Sequence, residues 1–172
     1  METSLLTERE IELARRIADL RNAKNGSVPN YRETRKHGDW EIHFSGIRAE
    51  IAVCKIVNFP IDQHISYDGD SGSPDLYIGN YKTEVKSALY MPPILKFNRV
   101  TDFKSDIAIL CYCPSAGSKD ESVVSIAGGV SRYKFSAEHY LNDFGQGVRA
   151  CMDADKLSPL AEILEWVKNT KH

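Results

Sequence analysis

Apolar positions near the start of the chain recur at helical spacing. Ile11, Ala14, Ile17 and Ala18 follow Thr7 and Glu10, which form a capping box, and the pattern runs to Asn25-Gly26, a C-terminal stop. The spacing predicts an amphipathic helix over 8–24. Residues 26–38 show no periodicity, contain Pro29 and read as a basic loop or short helix. A second helix is predicted over 46–58. Ile47, Ile51, Cys54 and Val57 share one side, Ala52, Val53 and Ile56 broaden it, and Phe59-Pro60 ends it. Glu50 sits among these apolar neighbours.

Beyond a loop holding Asp68-Gly69-Asp70-Ser71-Gly72 the period changes. Segments 75–78 and 81–87 flank Gly79-Asn80, a two-residue hairpin signal. Ile107–Cys113 is a continuous apolar run, as expected of a strand covered on both faces, and Val123–Ile126 reads as another strand. Helices are predicted over 135–143 and 159–168, the second with Leu160, Ile163, Leu164 and Val167 on one face. This order predicts a single α/β domain with a central mixed four- to five-stranded sheet flanked by helices. Within it, 1–43 would carry the basic helix and loop, 44–130 the core and 131–172 the C-terminal helices.

The chain's 172 residues fit one domain, and 42% hydrophobic with 27% charged residues excludes a disordered or fibrous chain. The longest apolar run has seven residues, far below the ~18 of a membrane-spanning helix. The first six residues have neither a basic nor an apolar leader pattern, so a cytoplasmic location is expected. Cys54, Cys111, Cys113 and Cys151 are too few and scattered for a disulfide framework and read as core thiols. The net charge of −2 hides local asymmetry. From Arg15 to His37 seven Lys/Arg face two acids, giving +5, whereas from Asp62 to Glu84 five acids face one lysine, giving −4. A basic rim beside an acidic pocket points to a phosphate backbone and a metal ion, although solvated helix faces and loops produce the same counts.

A two-residue turn at Gly79-Asn80 pairs Ile78 with Tyr81, Tyr77 with Lys82, Leu76 with Thr83 and Asp75 with Glu84. Lys86, two residues beyond Glu84, then projects from the same face. Opposed carboxylates destabilise a hairpin unless a cation lies between them, and Mg²⁺ prefers a few carboxylates plus water and phosphate oxygens. Lys86 is placed to neutralise charge growing on a phosphate. Glu50 would complete the site if its helix packs against the hairpin with the acid inward. The bland alternative is that these are exposed hairpin charges, with Lys86 paired to either acid.

Pro74-Asp75, eight residues, then Glu84-Val85-Lys86, preceded by a helix carrying Gly46-Ile47-Arg48-Ala49-Glu50, resembles the PD-(D/E)XK nuclease superfamily, the restriction endonuclease-like fold. The resemblance spans about 46–126. It implies that Asp75 and Glu84 bind metal with the Val85 carbonyl, that Lys86 is the catalytic lysine and that Glu50 is the helix-borne acid. It further implies a Mg²⁺-dependent nuclease, with Mn²⁺ as a substitute, hydrolysing phosphodiester bonds in DNA. By analogy the gene belongs to a phage, mobile element or repair system and the protein is a homodimer cutting both strands. Ser87 would bind a phosphate or simply end its strand, Arg35 and Lys36 would contact DNA from the basic loop, and Lys96, Arg99 and Lys104 would track a phosphate strand. Two alternatives stay open, a non-catalytic DNA- or partner-binding module on the same fold and a nuclease acting on RNA. The Asp68–Gly72 run lacks the glutamate that an EF-hand needs at its twelfth position, where Gly79 stands, so it reads as a loop. Trp40 is expected to pack in the core or stack on a base.

Overall fold

In a computed structural model, residues 1–25, 38–61, 73–145 and 147–170 are described. Strand β1 (Glu2–Leu5) leads to helix α1 (Glu8–Asn25), whose capping box forms as the sequence predicts: the Thr7 N–H donates to Glu10 Oε2 at 2.7 Å and the Glu10 N–H to Thr7 Oγ1 at 3.3 Å. Helix α2 (Asp39–Val57) begins seven residues earlier than the periodicity suggests. Gly46, the expected start, lies inside the helix with open space around it. The ~1 kcal/mol cost of an interior glycine is overridden by packing of the turn before it, where Trp40 stacks on Phe44 at 4.9 Å and Phe44 is fully buried. Asn58 ends α2 in the left-handed region at φ 53°, and its N–H bonds back to the last turn.

Strands β2 (Leu76–Ile78) and β3 (Tyr81–Ala88) form the expected hairpin, with Leu76 opposite Thr83, Tyr77 opposite Lys82 and Ile78 opposite Tyr81. Gly79 supplies the positive φ of 61° that the two-residue turn needs. Strand β4 (Ile94–Phe97) and a 3-10 turn over Val100–Asp102 follow, then β5 (Ile107–Tyr112) and β6 (Val123–Ser131). The sheet order is β1-β6-β5-β3-β2, with β3 and β5 parallel and the other neighbours antiparallel. These elements make one α/β domain built on a mixed five-stranded sheet flanked by helices.

The helix predicted over 135–143 is instead two elements. Helix α3 (Arg132–Glu138) is capped by Ser131, whose hydroxyl accepts from the Lys134 N–H at 3.2 Å, and stops before an extended His139. Strand β7 (Tyr140–Asp143) then pairs with β8 (Val148–Asp153). Residues 140–143 are all exposed, so no apolar stripe holds them on a helix, whereas pairing satisfies their backbone. Strands β4, β8 and β7 form a separate three-stranded sheet. Helix α4 (Leu160–Asn169) ends the described chain, close to prediction.

Strand β5 divides two cores by alternation. Ile107, Ile109 and Cys111 face α1, α2 and α4, while Ala108 and Leu110 face the second sheet and a cluster of Phe97, Phe103 and Phe135. This double burial explains the uninterrupted apolar run. All four cysteines are free and buried, as core thiols should be, and burial pushes Cys113 up to about 12. Among the described residues no helix is long and apolar enough to cross a membrane.

Arg48 on α2 has no exposed surface. Its guanidinium donates to the Glu121 carbonyl and the Pro114 carbonyl, both at 2.6 Å, and lies 4.4 Å from the Phe44 ring centroid. The Glu121 carboxylate is bonded in turn to Arg15 of α1. One buried side chain thus ties α2 to the connection between β5 and β6. Arg48→Ala orphans both carbonyls and is expected to cost about 3 kcal/mol in urea unfolding. Arg48→Lys should recover little of that, because one ammonium does not reproduce the guanidinium fork.

Candidate active site

Strand β3 supplies the centre of the site. Its odd-numbered residues Thr83 and Val85 are buried, Val85 within the core that holds α2, whereas Glu84, Lys86 and Ala88 turn the other way. Asp75 immediately precedes β2, one step outside the paired register. Its Oδ2 accepts the Val85 N–H at 2.7 Å, so the carboxylate is fastened to the backbone between Glu84 and Lys86. The hairpin therefore brings the three residues together, although Asp75 reaches β3 beyond the ladder and does not sit as a paired strand residue.

Asp75, Glu84 and Lys86 line a cleft of about 530 Å³ with Lys96, Asp102 and Lys104, three acids against three lysines. Lys86 Nζ is 2.8 Å from Glu84 Oε2 and 5.2 Å from the Phe97 ring centroid. Lys96 belongs to β4 across the cleft, and its Nζ lies over two rings, 4.5 Å from the Tyr90 centroid and 3.8 Å from that of Phe144. Asp102 accepts the Arg99 N–H at 3.1 Å, which closes the 3-10 turn at the cleft's edge.

Glu50 approaches from the helix side and is not one of the side chains that line the cleft. Burial, reinforced by the Asp75 charge, pushes its carboxyl from an ordinary 4.5 up to about 7, against the opposing pull of Arg21 and Lys86. Arg21 Nη1 stands 3.9 Å from Glu50 Oε1, and the Arg21 side chain is only 15% exposed. A basic residue of α1 therefore belongs to the surroundings of the site. Nothing in the local sequence distinguishes Arg21 from the other cations of its stretch; only the packing of α1 on α2 selects it.

The remaining candidates are dispersed. Ser87 turns toward α2, where its Oγ lies 3.0 Å from Ser45 Oγ. Arg99 is exposed and engaged through its backbone. Arg35 and Lys36 lie outside the described residues, as do Asp68, Asp70 and the loop around them. Trp40 packs on Phe44 and donates to Asp19 Oδ1 at 2.7 Å, so the structure gives it a packing role. The sequence singled out neither Asn98 nor Asp102, which line the cleft through the connection after β4.

Among the described residues no group of three or more His, Cys, Asp and Glu side chains is gathered around a metal position. The donor chemistry nevertheless suits a hard divalent cation. Asp75, Glu84 and Glu50 offer carboxylate oxygens, Mg²⁺ is held by one or two carboxylates with water and phosphate completing its shell, and the mutual repulsion of Asp75 and Glu50 is the kind a cation relieves. No family model matches the chain, and no curated protein or solved structure matches it either.

The raised Glu50 pKa has a defined sign in stability. Between about 4.5 and 7 the folded protein holds a proton that the unfolded chain has released, so this carboxyl's contribution falls as pH rises through that window. Glu50→Gln should leave stability unchanged near pH 4. At pH 8 in EDTA it should stabilise the protein by on the order of 2 kcal/mol, as read in thermal melts. Equal pH profiles for both proteins would contradict the placement of Glu50 beside Asp75.

Proposed function

We propose that this protein is a Mg²⁺-dependent nuclease that hydrolyses phosphodiester bonds in DNA, with Mn²⁺ able to substitute. The observation that carries the reading is the single cleft in which Asp75, Glu84 and Lys86 meet Lys96 and Lys104, with Glu50 beside Asp75. It is supported by the resemblance of Pro74-Asp75, Glu84-Val85-Lys86 and Glu50 to the PD-(D/E)XK pattern.

Asp75 and Glu84, with the Val85 carbonyl and Glu50, would hold the cation. When bound, it supplies Lewis acidity at a phosphate oxygen and lowers the pKa of water. Lys86 projects into the cleft with 40% of its side chain exposed, held by Glu84 and the Phe97 face, and stabilises the added charge on a pentacovalent phosphate. Lys104 and Lys96 give the opposite wall the positive character that a phosphodiester backbone requires. Asp75 is oriented by the Val85 amide and keeps one oxygen directed by that bond.

The close Lys86–Glu84 ion pair favours a second reading, a DNA-binding module without turnover, since each group neutralises the other at 2.8 Å. Plasmid, linear duplex, single-stranded DNA and RNA incubated with EDTA, Mg²⁺ or Mn²⁺ separate the two. Metal-dependent cutting is expected, reduced at least ~100-fold in Lys86→Ala and in Asp75→Asn while both variants melt within a few degrees of the parent. DNA shifted on a gel but never cut establishes the binding module, and cutting confined to RNA changes the substrate class.

Cation binding gives a separate readout. Mg²⁺ at pH 8 should raise the melting temperature of the parent and raise that of Asp75→Asn much less. Equal shifts in the two proteins would remove Asp75 from the proposed cation site.

A further inference from the structure

A second cleft, of about 630 Å³, opens at the end of the five-stranded sheet where the starts of β3 and β5 and the end of β6 meet α4. Its floor is apolar, made by the buried Ile107, Val130 and Ile163. Tyr81 and Trp166 form one wall, their ring centroids 4.7 Å apart at an interplanar angle of 43°. Trp166 is 42% exposed and Tyr133, from α3, 86% exposed, so aromatic surface remains open to a planar ligand. Arg132 and Lys134 stand at the rim.

We propose that this cleft seats an unpaired nucleobase of the strand whose backbone occupies the Asp75–Lys86 cleft; the inference deepens the nuclease reading and rests on it. Three observations converge. The two clefts share a wall, since Lys104 and Ser105 line the first and Asp106, the next residue, lines the second. Arg132 fastens that wall by donating to the Lys104 carbonyl at 2.9 Å, and its half-exposed guanidinium keeps further donors for a phosphate. Along β3, Tyr81 and Glu84 are three residues apart, about 10 Å of extended chain on opposite faces of the strand, so a strand reaching both clefts passes around the end of the sheet where Lys104 to Asp106 lie.

A base has a π-face whatever its identity, so stacking on Trp166 and Tyr81 is tolerant of sequence. The acids at the cleft do not cancel its character. Asp106 is engaged, accepting the Lys82 N–H at 3.0 Å and lying 3.8 Å from Arg132, while the Glu162 carboxylate is the acceptor a base's amino group needs. A paired base cannot present its face to a side cleft without leaving its stack. The protein should therefore prefer substrates with an unpaired nucleotide near the scissile phosphate, such as single strands, flaps and frayed ends.

The test is tryptophan emission of the full chain titrated in EDTA, at fixed salt, with a short oligothymidine and with a blunt duplex of equal length. Quenching by the single strand is expected, with affinity about tenfold above that for the duplex. With binding followed instead by anisotropy of a dye-labelled oligothymidine, since two of the variants lack the reporting tryptophan, Trp166→Ala should weaken single-strand binding about tenfold, Trp166→Phe should restore most of it, and Tyr133→Ala, which disturbs no core contact, should weaken it by a few-fold. Unquenched emission, or parental affinity in Trp166→Ala and Tyr133→Ala, overturns the proposal. Cutting of blunt duplex with Mg²⁺ is scored separately. If Trp166 variants bind single strands normally while metal-dependent cutting stands, only the base seat fails. If single-strand quenching stands and no DNA is ever cut, the nuclease reading fails and the base seat remains.

Discussion

Strand β3 is hydrogen-bonded on both edges, antiparallel to β2 and parallel to β5, and is packed on both faces. Such a strand has one workable register, because a shift by a single residue would drive Glu84 and Lys86 into the helix-side core and expel Thr83 and Val85 from it. The positions of the candidate functional groups follow from that constraint. Glu84 and Lys86 are presented to the cleft by alternation, and Asp75 is tied to the same strand through the Val85 amide. The placement of these groups is thus an outcome of strand burial.

Cations play three different parts around this frame. Arg48, wholly buried, spends its fork on two backbone carbonyls and serves structure alone. Arg21, nearly buried, stands beside Glu50 and offsets part of the repulsion between that acid and Asp75. Two lysines of the cleft rest their ammonium groups on aromatic rings, Lys86 on Phe97 and Lys96 between Tyr90 and Phe144. Depth of burial separates these roles: full desolvation requires fixed partners, whereas a half-exposed ammonium can exchange a ring or a carboxylate for a phosphate.

The three-stranded sheet completes the cleft from the side opposite α2. Phe97 ends β4, joins the Phe103 and Phe135 cluster below and presents its face to Lys86 above, so it links a hydrophobic core to the candidate chemistry. The connection from β4 to β5 then contributes to both clefts within three residues, Lys104 to Asp106. That sharing gives the paired clefts a physical basis for handling one extended ligand.

Much of the local structure was legible in the sequence because its causes are local. Turn chemistry at Gly79-Asn80 set the hairpin, the Thr7–Glu10 box set the start of α1, and the double-sided apolar run of β5 announced a covered strand. With the period of two along β3, these were enough to bring Asp75, Glu84 and Lys86 together. What escaped depends on partners distant in the chain. Residues 140–143 have no core-facing stripe, and only β8 decides that they are a strand; β4 is likewise defined by its pairing with β8. The orientation of Glu50, the approach of Arg21, the turn of Ser87 toward Ser45 and the meeting of Tyr81 with Trp166 all arise from packing between elements. The sequence alone determined the alternation along β3 and β5 and the turn at Gly79-Asn80, since those follow from steric preferences of neighbouring residues. The tertiary structure alone decided which charges share a cleft, because electrostatic environment is set by distances across the fold.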